Sequence, residues 1–191
     1  MKKHSTTSSG FTLIELMVTV TLVAILLAVG VPSFTTFQRN AELTSATNSL
    51  LAAINAARSE AMKRGMNAMV VPTDGANWSS GWVVFVDKNR SLAYESGSDV
   101  TVLASDPPPA YLAVSGNGST AGSTPYILFD ASGYSKLKAG GFGALTFTIA
   151  RNDVTGSVLA DQTRRVIISS TGRARTCKPS TDSTCGASSK Q

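Results

Sequence analysis

Residues 10–31 read GFTLIELMVTVTLVAILLAVGV, and this stretch decides how the rest of the chain is organised. From Phe11 to Val31 the only charged residue is Glu15. A helix over these 21 residues covers about 31 Å, at about 1.5 Å per residue, which matches a bilayer core. The segment before it is short and polar and carries Lys2 and Lys3. An ordinary secretory signal fits less well. The run is too long for such a signal, and Gly30-Val31-Pro32-Ser33-Phe34 offers no small-residue cleavage site. Glu15 argues in the same direction. A carboxylate inside a membrane costs about 2.5–3.5 kcal/mol on insertion scales, so its presence implies a partner.

Gly10-Phe11-Thr12-Leu13-Ile14-Glu15-Leu16 resembles the class III signal of type IV pilins and type II secretion pseudopilins. The resemblance implies that a prepilin peptidase cuts between Gly10 and Phe11 and methylates the new amine of Phe11. Glu15 is then the fifth residue of the mature chain and pairs with the N-terminal amine of a neighbouring subunit during assembly. A buried carboxylate becomes tolerable when a cation shares its site. Pro32 matches a family position that kinks or melts the helix beyond the membrane.

Working outward, the 191 residues suffice for one domain with extensions. Hydrophobic residues make up 42% and charged residues 15%, which excludes compositional disorder. From Gln38 to Arg64, Leu43, Ala46, Leu50, Ile54, Ala57 and Ala61 recur on one helical face. That stripe predicts a sheet packed against it, and Gly65 predicts the stop. A disturbance is expected at Gly30 and Pro32, where this helix continues from the membrane segment. Past Gly65 the texture changes to short β-type runs. Strands are expected at 68–71, 81–86, 101–103, 126–129, 144–150 and 165–169. Residues 104–125, rich in Ser, Gly and Pro, are expected to form a long loop around one short extended piece. The fold class is α+β: a long N-terminal helix packed on an antiparallel β-sheet head. The expected organisation is a cleaved leader over 1–10, a transmembrane helix over 11–37, a head over 38–176 and a C-terminal tail over 177–191.

Trp78-Ser79-Ser80-Gly81-Trp82-Val83-Val84-Phe85-Val86-Asp87 resembles the GspH/FimT branch of the same superfamily. So does Thr171-Gly172-Arg173-Ala174-Arg175-Thr176-Cys177. The resemblance implies the type IV pilin fold.

The sequence gives catalysis little to work with. The single histidine, His4, lies in the expected leader, so the mature chain has no imidazole for a Ser-His pair or a metal. No Ser-x-x-Lys elbow is present, and no cofactor is expected. Asp87, Asn89 and Glu95 are weighed as calcium ligands, but they lack the central glycine and third short acidic ligand of an EF-hand. They read as a solvated turn, and no metal site is expected. Cys177 and Cys185 lack Cys-x-x-Cys spacing. In a periplasmic head they are expected to pair as a disulfide closing a small loop, the alternative being two free thiols in a frayed tail.

The charge is distributed unevenly. Residues 11–150 carry 8 basic and 9 acidic side chains, whereas residues 151–191 carry 7 basic and 3 acidic ones. The basic excess of the mature chain therefore sits at its end and points to an acidic partner. Arg173 and Arg175 are two residues apart, so in extended chain they share a face at about 6.6 Å. That spacing is close to the separation of adjacent phosphates along a nucleic-acid strand, and guanidinium binds phosphate oxygens in pairs. Gly172 permits close backbone approach. Lys178 follows, and Arg164 and Arg165 lie one strand upstream as possible extensions of the patch. The Gly-Arg-x-Arg pattern is similar to that of DNA-binding FimT-like minor pilins, which implies the same role for Gly172, Arg173 and Arg175. The competing reading is a solvated basic edge strand that discourages aggregation.

Three functions stay open. The first is a minor type IV pilin binding extracellular double-stranded DNA for natural transformation. The second is a FimU-like minor pilin priming pilus assembly without touching DNA. The third is pseudopilin H at the tip of a type II secretion pseudopilus. In each case the expected partners are other major and minor pilins, the prepilin peptidase and, before assembly, the inner membrane, with the head in the periplasm.

Overall fold

The computed structural model describes residues 10–187, except for the side chains of Val29 and Pro32. The expected leader basics Lys2 and Lys3, His4, and Lys190 lie outside the described residues. The chain divides into two compact units, Met1–Asn40 and Ala41–Gln191.

Helix α1 spans Leu13–Arg64. Among the described residues it is the helix long and apolar enough to cross a membrane. In the first unit its large apolar side chains, including Leu13, Leu16, Leu22, Ile25 and Leu26, are exposed. The backbone is helical at Gly30 and Pro32 as well, so the expected disturbance there is not a break in the helix. In the second unit the stripe on α1 is buried: Leu43, Leu50, Ile54, Ala57 and Ala61 are fully enclosed, and Ala46 packs at their margin. The helix ends where expected. Gly65 has φ +64°, the left-handed conformation that terminates helices, and the Met66 amide bonds back to the Ala61 carbonyl.

The head contains two antiparallel sheets. The first is built from β1 (Ala68–Pro72), β2 (Trp82–Val86), β3 (Val100–Ser105), β5 (Ile127–Phe129) and β6 (Ser135–Lys136), in the order β3-β2-β1-β5-β6. The second contains β4 (Leu112–Gly116), β7 (Leu145–Arg151), β8 (Thr163–Ile168) and β9 (Ala174–Cys177), in the order β4-β7-β8-β9. Short helix α2 (Ser157–Asp161) precedes β8.

One core joins α1 to the inner faces of both sheets, through Val70, Val84 and Phe129 of the first and Phe147, Ile149, Val166 and Ile168 of the second. Trp78 stands edge-on to Phe147 at 4.8 Å between ring centroids and donates its indole N–H to the Thr120 carbonyl. The outer face of the first sheet carries a second cluster, Met69, Phe85 and Leu128, covered by Leu92 and Tyr126. Both faces of β2 are therefore buried, which is why Trp82-Val83-Val84-Phe85-Val86 is an unbroken apolar run.

Beyond the expected strands the structure adds β6 and the short helix α2. The short extended piece expected within 104–125 is β4, which pairs along β7 from Leu112↔Arg151 to Gly116↔Phe147. Short runs at β6 and α2 lack the hydrophobic pattern that marks a core element. Strand β9 ends at Cys177, the first residue of the expected tail.

The two sheets meet where the β5–β6 and β8–β9 turns touch. The Ser135 amide donates to the Ser170 carbonyl at 3.1 Å. Gly172 is buried, with φ +80°, and a Cβ there would lie 1.9 Å from the Gly133 carbonyl oxygen. We expect Gly172→Ala to destabilise the head by about 2–4 kcal/mol, from backbone strain plus that overlap. Denaturant unfolding of the full chain in detergent reads it; an unchanged midpoint would contradict the packing.

Candidate nucleic-acid interface and N-terminal site

The register of β8 and β9 settles which basic side chains share a face. Arg165 is opposite Cys177, Ile167 opposite Arg175, and Ile168 opposite Ala174. Val166 and Ile168 point into the core, so Arg165 and Ile167 point outward with Arg175 and Arg173. Arg173 and Arg175 thus share the outer face of an edge strand. With Ile167, Ser169 and Thr184 they line a depression of about 340 Å³. Arg164 does not belong to this group. It has the parity of Val166 and Ile168, and its guanidinium turns to the carbonyls of Asp161 at 2.8 Å and Thr163 at 3.0 Å. There it braces the end of α2.

The remaining cations differ in what already holds them. Arg173 is exposed, and among the described residues its side chain has no hydrogen-bond or ion-pair partner. Arg175 is half-buried: one terminal nitrogen pairs with Asp182 at 3.1 Å, and the other donates to the Thr184 carbonyl and hydroxyl. Arg165 donates to the Cys185 carbonyl and weakly, at 3.4 Å, to the Thr148 hydroxyl. Lys178 pairs with Asp161 at 2.8 Å. Cys177 and Cys185 are joined as a disulfide, and the loop it closes is tied to the sheet by Arg165 and Arg175. Each acid in this end of the chain is paired with a base, since Arg151 also holds Asp153. The three acids are already subtracted in the excess read from the sequence, so these pairs fix where its charge sits without changing its size.

Gly172 has a different place from the one expected. Its backbone is packed against Gly133 and Arg58, not open to a ligand. Arg58 of α1 is a residue that sequence reasoning missed. Its Nε donates to the Gly133 carbonyl at 2.9 Å and a terminal nitrogen to the Thr171 carbonyl at 3.3 Å. One helical side chain thereby holds the turn that presents Arg173. Its position off the apolar stripe was the available signal, but helical periodicity does not say which turn a polar side chain meets.

At the N-terminus, Gly10 and Phe11 are exposed and precede the helix. The Glu15 amide donates to the Thr12 hydroxyl at 3.2 Å, and the Thr12 amide approaches the Glu15 carboxylate at 3.5 Å. This is the reciprocal capping box of Ser/Thr-x-x-Glu, readable in principle from Thr12 and Glu15 alone. Glu15 thus has a role in starting the helix whatever else it meets.

The weighed calcium residues do other work. Asp87 is buried and accepts the backbone amides of Ser91 and Leu92, and the Asn89 amide side chain donates to Glu95. Among the described residues no cluster of His, Cys, Asp or Glu could hold a metal ion.

A long apolar helix running into an antiparallel head, with both sheets packed on its second half, is the architecture of type IV pilins. The family described as Type II transport protein GspH matches residues 46–172, and the prokaryotic N-terminal methylation motif matches residues 6–31. The chain belongs to the GspH family, among the minor type IV pilins and pseudopilins. The match ends at Gly172, so Arg173, Arg175 and the disulfide lie beyond it. Two crystal structures of the type IV minor pilin FimU from Pseudomonas aeruginosa share its fold. One has 21% identity and a TM-score of 0.55 over 78% of this chain and 99% of that one. The other has 22% identity and a TM-score of 0.53 over 75% and 99%. The minor pseudopilin EpsH from the type 2 secretion system of Vibrio cholerae aligns at 14% identity and a TM-score of 0.47, over 72% and 98%. No curated protein matches the chain.

Thr184 hydrogen bonds and then the Arg175 guanidinium hold the Asp182 carboxyl below its ordinary value of 3.8. A lowered carboxylate stabilises fully above its ordinary value and loses that contribution as pH falls through the folded value. The Thr184 amide bonds Asp182 Oδ1 at 2.8 Å and reports on it directly. We expect its exchange protection to be constant at neutral pH, to fall only in acid below the ordinary value, and to be lost at every pH in Asp182→Ala, which has no acceptor there. Protection that survives in that variant would contradict the assignment.

Proposed function

We propose that this protein is a minor pilin that binds DNA phosphates through the β8–β9 hairpin, in a pilus that takes up extracellular double-stranded DNA for transformation. The observation that carries the reading is the shared outer face of Arg173 and Arg175, beside a depression and with the Arg173 guanidinium unpartnered among the described residues. Arg173 is the principal contact. Arg175 contributes from its pair with Asp182, and Arg165 and Lys178 act from the margin while holding the disulfide loop and Asp161. Gly172 shapes the turn. Such contacts are independent of base sequence and sensitive to salt.

The N-terminus is read in the same way. The prepilin peptidase cuts after Gly10 and methylates Phe11, α1 anchors the chain in the inner membrane with the head in the periplasm, and Glu15 exchanges its capping role for the amine of a neighbouring pilin. A second reading is favoured by the internal pairing of Arg175 and Lys178, which leaves less free charge than a dedicated DNA surface would use. On that reading the protein primes assembly with other pilins, as a FimU-like minor pilin or a secretion pseudopilin, without touching DNA.

A titration of the full chain in uncharged detergent with a short DNA duplex, at low and moderate salt, separates the two. We expect binding at low salt that weakens as salt rises, and a loss of about tenfold or more in Arg173→Ala/Arg175→Ala. If the native chain fails to bind at low salt, assembly priming or secretion is the better account. Asp182→Asn, which releases Arg175, is expected to bind duplex more tightly than the native chain.

A further inference from the structure

The turn that carries Arg173 has a neighbour with different chemistry. Gly133 contacts Gly172, and the residues that follow these glycines are Tyr134 and Arg173. Their Cα atoms are at most about 13 Å apart, given 3.8 Å per peptide step. Tyr134 and Phe142 are 42% and 57% exposed. Their rings stand at 65°, with centroids 5.5 Å apart. Phe142 lies within the glycine-rich β6–β7 loop and is bridged to Lys136. The Lys136 ammonium lies 3.8 Å from the Phe142 ring centroid, and the Asp130 carboxylate holds it at 3.6 Å. One face of this exposed ring is thus already matched to a cationic partner.

Solvent-exposed rings beside Lys136 and an arginine unpartnered among the described residues form a recognisable chemical combination. Each base has a π-face that stacks on an aromatic side chain without sequence preference, while cations follow the phosphates. Duplex DNA hides those faces, and single strands present them. We propose that Tyr134 and Phe142 form a base-stacking platform beside Arg173, so that the hairpin binds unpaired DNA strands more tightly than duplex. This rests on the DNA-binding reading above and specifies its substrate: a single-stranded segment or frayed end whose phosphates meet Arg173 and Lys136 while a base lies on the rings. Lys136 exchanges its ring contact for a phosphate when the base arrives.

The test uses the full chain in uncharged detergent and three labelled probes of equal length: a single strand, a blunt duplex and an abasic single strand. The variants are Tyr134→Leu/Phe142→Leu, which keeps apolar bulk but removes the rings, and Arg173→Ala. We expect the native chain to bind the single strand several-fold more tightly than either other probe. The ring variant should lose about tenfold or more on the single strand, yet stay within about twofold of native on the duplex, which also shows that it folds. Arg173→Ala should weaken both. If the ring variant binds the single strand as the native chain does while Arg173→Ala weakens both, the platform is overturned and the phosphate reading stands. Equal native affinity for the abasic and normal strands overturns it as well. If the native chain binds none of the probes, the DNA reading fails, and the platform with it.

Discussion

The Gly133 carbonyl oxygen occupies the space that any side chain at residue 172 would need. This contact, with Arg58 donating to both turns that make it, fixes where the edge of one sheet meets the edge of the other. Arg58 comes from the same helix whose apolar stripe builds the core, so hydrophobic packing and hairpin placement share one element. Arg173 is the next residue in the chain after the contact. Its position is thus set by backbone packing and two carbonyl acceptors, without using its own guanidinium.

Electrostatics at this end of the molecule divides along the same line. Arg165 and Arg175 spend donors on the disulfide loop, Lys178 on Asp161, Arg164 on the end of α2, and Arg151 on Asp153. These groups shape the surface more than they advertise charge. The partly exposed pairs Arg175–Asp182 and Lys178–Asp161 are of the kind that stabilises weakly, typically by about 0–1 kcal/mol, and exchanges readily with a stronger anion, whereas Arg151 is buried in its pair. On the proposed reading a phosphate entering the depression competes with Asp182 for Arg175, while Arg173 has no partner to displace among the described residues.

Much of the fold was legible because its signals are periodic. The stripe from Leu43 to Ala61 could only be one helical face, and the run from Trp82 to Val86 could only be a buried strand. The stop at Gly65 is equally local, and the capping pair Thr12 and Glu15, though local too, went unread. What else escaped was set by partners elsewhere in the chain. Ser135 and Lys136 carry no strand pattern of their own and form β6 because β5 pairs with them. The site was half legible: alternation placed Arg173 and Arg175 on one face. It did not show that Asp182 folds back onto Arg175, that Arg164 turns the other way, or that Gly172 serves packing. Those facts depend on how a disulfide loop and a turn from another sheet close on the strand.

The most direct measurement is the dependence of duplex affinity on salt concentration for the full chain in uncharged detergent. Two to three engaged phosphates predict a slope of log K against log salt of about −1.8 to −2.7. A slope near zero, or no binding at low salt, would contradict a phosphate-binding hairpin and leave a pilin head whose basic edge serves only its own packing.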